Sequence, residues 1–132
     1  DLRRTFEVKA VEWAIERMDD SEIDTLRENI EFMEFYTLKA DVEKVLQFNS
    51  AFHNIIYKGT KNRMLYQTLS LYQTYLKHSA PAKTFNDGYL RIILDEHKAI
   101  FEAFETKNPA AGKKAMDYHM QQSKLRRMSH LF

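Results

Sequence analysis

The sequence predicts an all-α protein, an antiparallel bundle of about six helices in a single domain over residues 1–132. Apolar residues recur at three- and four-residue spacing through most of the chain, which is the period of one helix face. Glycine and proline number only 3 and 2, too few for the many turns of an all-β fold. Short links between amphipathic helices favour antiparallel packing.

Individual helices are marked by start signals and apolar stripes. The first helix is expected over 2–18, and Ser21 with Asp24 resembles a cap for the second. Asp41 is expected to cap the third helix, which should end near Gly59. The remaining elements are expected as a helix over 62–77, a loop over 79–88, a helix over 88–105, and a helix from Asn108-Pro109 to about 128.

Composition limits the classes of protein that the chain can belong to. A net charge of +1 gives no sign of nucleic-acid binding by these residues. The lack of cysteine excludes disulfides and thiolate metal sites, and it fits a reducing compartment such as the cytoplasm. No apolar run is long enough to cross a membrane. The chain begins at Asp1 rather than Met, so we expect it to be a piece of a longer protein.

Polar side chains interrupt the inward stripe of the third helix. Asn49 and His53 lie on the face where Phe52 and Ile56 point inward. The two residues are one helical turn apart, so both side chains can reach a common point. A buried polar group needs a partner, which here can be a protein group, a water, a metal or a ligand.

Two further histidines lie on inward stripes of other helices. His97 lies between Leu94 and Phe101 on the fifth helix, and His119 shares a face with Met116 on the sixth. Imidazoles from separate helices, with a side-chain oxygen one turn away, are the parts of a metal site inside a bundle. The alternative is three unrelated core histidines with ordinary hydrogen bonds. We expect the two other histidines, His78 and His130, to be exposed.

Five short motifs follow one another in a recognisable order. They are RRTFE (3–7), NSAFH (49–53), KNRML (61–65), DEH (95–97) and MDYH (116–119). The ordered set resembles the FCD domain, the C-terminal effector-binding domain of GntR-type bacterial transcription regulators of the FadR subgroup. The resemblance covers essentially the whole chain.

The resemblance implies a divalent metal site in the bundle interior, with a small carboxylate effector bound at the metal. Family members commonly use an Asp and three His as ligands. By position, the ligands here are Asn49, His53, His97 and His119, with Asn49 standing where the family has Asp. Zinc or nickel suits three imidazoles best. A neutral amide ligand is expected to weaken metal binding but to strengthen the attraction of an anion to the metal.

The resemblance also implies residues that bind the effector. Either Arg3 or Arg4 matches the family's arginine on the first helix, the alternative being a surface ion pair with Glu7 or another acid. Asn62, Arg63 and Tyr72 are further candidates for the pocket wall. The basic segment 124–127 is interpreted as an ordinary complement to a helix C-terminus.

The predicted function is that of a ligand-sensing, homodimeric module of a transcription regulator and not of an enzyme. The resemblance implies that DNA is bound by an upstream winged-helix domain, which these residues do not include. One alternative is a metal-free helical ligand-binding or interaction module. A mononuclear metal hydrolase is less favoured, because Glu96 is adjacent to His97 and is expected to point away from it.

Overall fold

In a computed structural model, which describes residues 1–79 and 87–129, the chain is an all-α bundle. The described residues form helices and no strand, as the sequence predicts. The predicted loop over 79–88 falls largely outside the described residues. The helices are α1 (Leu2–Arg17), α2 (Asp20–Leu38), α3 (Val42–Gly59), α4 (Arg63–Ser79), α5 (Asp87–Glu105) and α6 (Pro109–Ser129).

The start of α2 differs from the prediction. Asp19 is the N-cap: its side chain accepts a hydrogen bond from the Glu22 amide, and the Glu22 side chain accepts one from the Asp19 amide. The predicted pairing of Ser21 with Asp24 is therefore wrong, because the helix is capped two residues earlier. The Ser21 hydroxyl instead donates to the Asp19 carboxylate at 2.8 Å. This reciprocal capping box satisfies two amides that the first turn would leave unpaired.

The starts of α3 and α6 are as predicted. The Asp41 carboxylate accepts a hydrogen bond from the Lys44 amide at 3.1 Å. The Asn108 side chain accepts one from the Ala111 amide at 3.1 Å, and Pro109 follows as the first residue of the helix. Both caps lie where a polar residue precedes an apolar stripe, which is why the sequence reveals them.

Helices α1 and α6 run antiparallel beside each other. Asp1 forms an ion pair with Lys124 at 3.6 Å, so the start of α1 lies beside the last turns of α6. At the other end of α1, a Cβ on Gly112 would come within 2.4 Å of the Ile15 side chain. The glycine allows the close approach of the two helices, because any larger residue would have to displace Ile15.

The core lies where α1, α2, α3, α5 and α6 meet. Helix α1 packs against α3, α4 and α6, while α2 packs against α3 and α5. The largest side chains buried in the core are Tyr57, Phe52, Phe104, Leu26, Met33, Ile56, Leu69, Leu90, Leu94, Ile100 and Met116. Polar residues of α3, α5 and α6 share this interior, and they form the candidate site.

Candidate metal centre

Three histidines from three helices meet in the bundle interior. His53 of α3, His97 of α5 and His119 of α6 each offer a ring nitrogen, and these nitrogens lie within 4.8 Å of one another. All three side chains are buried. We refer to them as the histidine cluster. They converge because each lies on the apolar stripe that directs its helix toward the core.

The hydrogen bonds of His97 orient its ring. Its Nδ1 lies 2.7 Å from the carbonyl oxygen of Ile93, one turn earlier on α5, so Nδ1 carries the proton and donates it. Its Nε2 is therefore the nitrogen with a free lone pair, and it lies 3.3 Å from Nε2 of His53. An imidazole anchored through one nitrogen to a carbonyl is the usual arrangement of a metal-ligating histidine.

His119 is anchored by a carboxylate. Its Nδ1 donates to Oε1 of the buried Glu96 at 2.6 Å, which leaves Nε2 free for the cluster. Both Glu96 oxygens also accept from the Arg126 guanidinium, each at 2.8 Å. Burial alone would raise the pKa of Glu96, but the hydrogen bonds from Arg126 and His119 outweigh it and lower the pKa to about 2. Glu96 is therefore an anion that orients His119.

The same contacts correct two sequence predictions. Glu96 does not point away from the site; although it is adjacent to His97, it reaches His119 on the neighbouring helix. Arg126 is not simply a complement to the helix C-terminus, because it holds a buried carboxylate. Sequence spacing within α5 could not reveal either contact, since both link α5 to α6.

The electrostatics of the cluster favour neutral imidazoles. Burial and then the neighbouring His119 lower the pKa of His97 to about 3. Burial is also the main cause that lowers the pKa of His53 and of His119. All three rings are therefore neutral at pH 7, the form in which an imidazole binds a metal.

Two buried side-chain atoms of α3 have no hydrogen-bond partner among the described residues. They are Oδ1 of Asn49 and Nδ1 of His53. Asn49 lies one turn before His53 on α3, so the two residues share a face of the helix. A buried acceptor without a donor is costly, and a cation would relieve that cost. Three neutral imidazoles and an unpaired carbonyl oxygen therefore fit a divalent metal.

Arg3 and Arg4 pair with different acids, one buried and one at the surface. Arg4 forms a bidentate ion pair with Asp117 of α6 on the protein surface. Arg3 pairs with Glu7 at 3.3 Å, but this acid is buried, whereas the alternative prediction was an ion pair on the surface. Burial is the main cause of the lowered pKa of His53 and of His119, and the charge of Arg3 adds to it, so this arginine lies near the cluster.

The other predicted effector residues do not reach the histidine cluster through any contact in the described residues. The Asn62 side chain caps α4 by accepting from the Leu65 amide at 2.9 Å. Arg63 is exposed at the start of the same helix. Tyr72 is partly buried and packs against the core.

Glu7 is a buried acid for which the sequence indicates only the role of an ion-pair partner. It accepts a hydrogen bond from the Tyr57 hydroxyl at 2.8 Å, and Tyr57 lies one turn after His53. Burial raises the pKa of Glu7, although Arg3 and Tyr57 oppose that shift. Glu7 lies three positions before Ala10 and therefore shares the apolar stripe of α1. An acid on an inward stripe is a signal that could have identified this residue.

Glu7→Gln is expected to change how stability depends on pH. Because the folded pKa lies above the ordinary 4.5, the stability contributed by protonated Glu7 is lost as the pH rises above 4.5 toward the folded value. Wild-type protein should therefore lose up to about 1.4 kcal/mol per pH unit relative to the variant over that window. Urea unfolding of both proteins at several pH values measures this difference.

Glu12→Gln is the control on the same helix. Lys9 lowers the pKa of Glu12, so its titration lies below 4.5. The stability difference between wild type and this variant should stay level as the pH rises from 4.5. A level difference for Glu7→Gln as well would contradict the assignment of a raised pKa.

The fold and the cluster together define a class of protein: a helical bundle that encloses a three-histidine site. The family model of the FCD domain matches residues 1–122. The chain belongs to the FCD-domain family, as the sequence motifs indicate. FCD domains are often metal-binding, and membership supports the role of an effector-sensing regulatory domain.

Solved structures of GntR-family regulators share the fold. Escherichia coli McbR/YncC superposes with a TM-score of 0.81 at 20% identity, covering 97% of this chain and 65% of that one. Streptococcus agalactiae GntR gives a TM-score of 0.80 at 23% identity, covering 96% of this chain and 56% of that one. The chain thus spans less than two thirds of either neighbour.

A search of curated proteins gives no match to this sequence. In the described part of the chain, no helix combines the length and the apolar character needed to span a membrane.

Proposed function

We propose that the chain is the effector-sensing, dimerising domain of a cytoplasmic GntR-type transcription regulator, and that it binds a divalent metal and a small carboxylate in its interior. The observation that carries the proposal is the convergence of three buried imidazoles from three helices. His53, His97 and His119 would hold the metal, with the unpaired Asn49 oxygen as a fourth ligand.

The chemistry of these ligands suits zinc or nickel. Both ions accept imidazole nitrogen readily. All four ligands are neutral, so the bound cation would keep its full charge and attract an anion to an open position. Arg3 of α1 lies near enough for its charge to lower the pKa of His53, and its guanidinium can pair with a carboxylate. These features favour an anionic effector.

A hydrolase is less well supported. Metal-assisted hydrolysis needs a base that can take a proton from water. Both oxygens of Glu96, the carboxylate that contacts the histidine cluster, are already engaged by Arg126 and His119. Its low pKa also makes it a weak base at pH 7. An orienting role fits this carboxylate better than a catalytic one.

Regulation requires that the effector bind differently to two arrangements of the whole protein. We propose that an upstream winged-helix domain binds DNA, and that effector binding between α1, α3, α5 and α6 shifts the arrangement of two such domains in a dimer. The shift can be no larger than the difference in effector affinity between the two arrangements.

An apolar stripe on α4 supports the proposed homodimer. Met64, Leu71 and Tyr75 are between 71% and 77% exposed, and their spacing places them along one side of the helix. A run of exposed apolar residues favours association with another surface. Leu71→Glu is therefore expected to convert a dimer to a monomer in sedimentation velocity. Arg63→Glu, at an exposed site of the same helix, should remain dimeric; a Leu71→Glu variant that does so would contradict this interface.

Asn49→Asp is expected to tighten metal binding. The substitution keeps the oxygen in place but adds a negative charge beside the cation, so affinity should rise on the order of tenfold or more. Competition titrations with a zinc-sensitive dye measure the change. Asn54→Asp makes the same chemical change on the same helix and should leave the affinity unaltered. Equal affinities for wild type and Asn49→Asp would show that residue 49 is not a ligand.

The proposed function is tested by metal content followed by carboxylate binding. Protein purified without chelators should contain close to one zinc or nickel per chain by mass spectrometry. Small carboxylates should then raise the melting temperature of the metal-loaded protein but not of the chelated protein. Protein that neither contains metal nor binds added zinc or nickel would support the metal-free alternative instead.

A further inference from the structure

Positive charge exceeds negative charge on one side of the histidine cluster. In the described residues around it, Arg3, Arg126 and Arg127 are accompanied by two buried acids, Glu7 and Glu96. Glu7 pairs with Arg3, and both oxygens of Glu96 are used by Arg126 and His119. Neither acid forms an ion pair with Arg127.

The antiparallel packing of α1 and α6 brings these arginines to one place. Asp1 pairs with Lys124 and Arg4 pairs with Asp117, so Arg3 lies beside the stretch 117–124 of α6. His119, a member of the histidine cluster, belongs to that stretch. The charge of Arg3 lowers the pKa of His53, of His119 and of Arg127, so its guanidinium lies near the histidine cluster and near the end of α6.

Arg127 extends back along α6 toward Ser123. Its Nη1 donates to the Ser123 hydroxyl at 3.3 Å, and Ser123 lies one turn after His119. Burial lowers the pKa of Arg127, and the nearby charges of Arg3 and Arg126 lower it further. The buried Nε of Arg3 has no hydrogen-bond partner in the part of the chain that the structure describes.

This arrangement is unfavourable unless an anion joins it. Like charges that share a partly buried space repel each other more strongly than they would in water. An anionic group between Arg3 and Arg127 would reduce that repulsion. It would also accept hydrogen bonds from the guanidinium N–H groups. The neutral ligands of the proposed metal site create a second centre of positive charge nearby.

Building on the proposed function, we propose that the effector is a small dianion. One anionic group binds at the metal, and the second is held by Arg127 together with Arg3. Arg127 is thereby assigned as an effector-binding residue. The second group is a carboxylate or a phosphonate-like oxyanion, since a guanidinium recognises both with the same paired hydrogen bonds.

The test compares ligands that differ in one charged group. Zinc-loaded protein is titrated by calorimetry with butyrate, succinate and 3-phosphonopropionate at equal ionic strength. Succinate should bind at least about tenfold more tightly than butyrate, because it adds a charged hydrogen-bonded contact. Tighter binding of 3-phosphonopropionate than of succinate would identify the second group as a phosphonate-like oxyanion, and the reverse order would identify it as a carboxylate.

Variants assign the contact to a residue. Arg127→Gln should lose the preference for succinate while its affinities for zinc and butyrate stay unchanged. Arg127→Lys retains the charge without the paired hydrogen-bond geometry, so it should keep part of the preference for succinate. This variant replaces Arg127→Gln in the test if the glutamine variant is unstable. Lys124→Gln removes one positive charge from an exposed site on the same helix and should behave as wild type.

The outcomes separate this inference from the function on which it rests. Failure of wild-type protein to bind zinc would overturn the metal site itself. Binding of zinc and butyrate without tighter binding of succinate would overturn only the dianion. A succinate preference that survives in both Arg127 variants at full strength would overturn the role of Arg127.

Discussion

Replacing His97 with glutamine is expected to abolish tight zinc binding and the stabilisation that zinc gives the protein. Nε2 of His97 lies 3.3 Å from Nε2 of His53, so the substitution removes a nitrogen from the middle of the cluster. Zinc at a thousand times its dissociation constant should raise the free energy of unfolding of wild type by about 4 kcal/mol. Unfolding curves in excess zinc and in chelator measure that gain.

The same substitution at a histidine outside the predicted site provides the control. His78→Gln should keep the full zinc-dependent gain in stability. His97→Gln will also lose the hydrogen bond to Ile93, so its unfolding in chelator must be measured as its own reference. An unchanged zinc-dependent gain in the His97 variant would exclude this residue as a ligand.

Glu96→Gln is expected to weaken zinc binding by about 10- to 100-fold, the usual effect of losing an orienting partner of a metal-ligating histidine. The glutamine oxygen can still accept from His119, but its NH2 group faces Arg126, which is itself a donor. The His119 ring should therefore lose its fixed proton position. Nitrogen chemical shifts of the metal-free protein report which ring nitrogen carries the proton.

Glu102→Gln makes the same change at an exposed position of α5 and should preserve both zinc affinity and the chemical shifts of His119. The proton on Nδ1 of His119 should dominate in wild type, because the Glu96 carboxylate accepts it at 2.6 Å. A Glu96→Gln variant with wild-type zinc affinity would show that the carboxylate does not orient the ligand.

The residues that follow helical periodicity could be predicted from the sequence. Each of His53, His97 and His119 lies on the apolar stripe of its own helix, and a stripe faces the core in any well-packed bundle. Asp41 and Asn108 were predictable for a similar reason, since an N-cap acts on amides within its own first turn. The face on which a residue lies and the position of an N-cap are local properties, so the sequence of a single helix is enough to predict them.

By itself, then, the sequence determined the all-α fold, most helix starts and the inward direction of the three histidines. Only the tertiary structure decided that Glu96 orients His119, that Arg126 holds Glu96, and that Arg3 lies near the cluster while Arg4 pairs with Asp117. The physical reason is distance along the chain: the Arg4–Asp117 pair joins residues 113 positions apart, and the Arg126–Glu96 pair joins residues 30 apart. Such contacts depend on how whole helices are placed against each other, which the periodicity of a single helix does not contain.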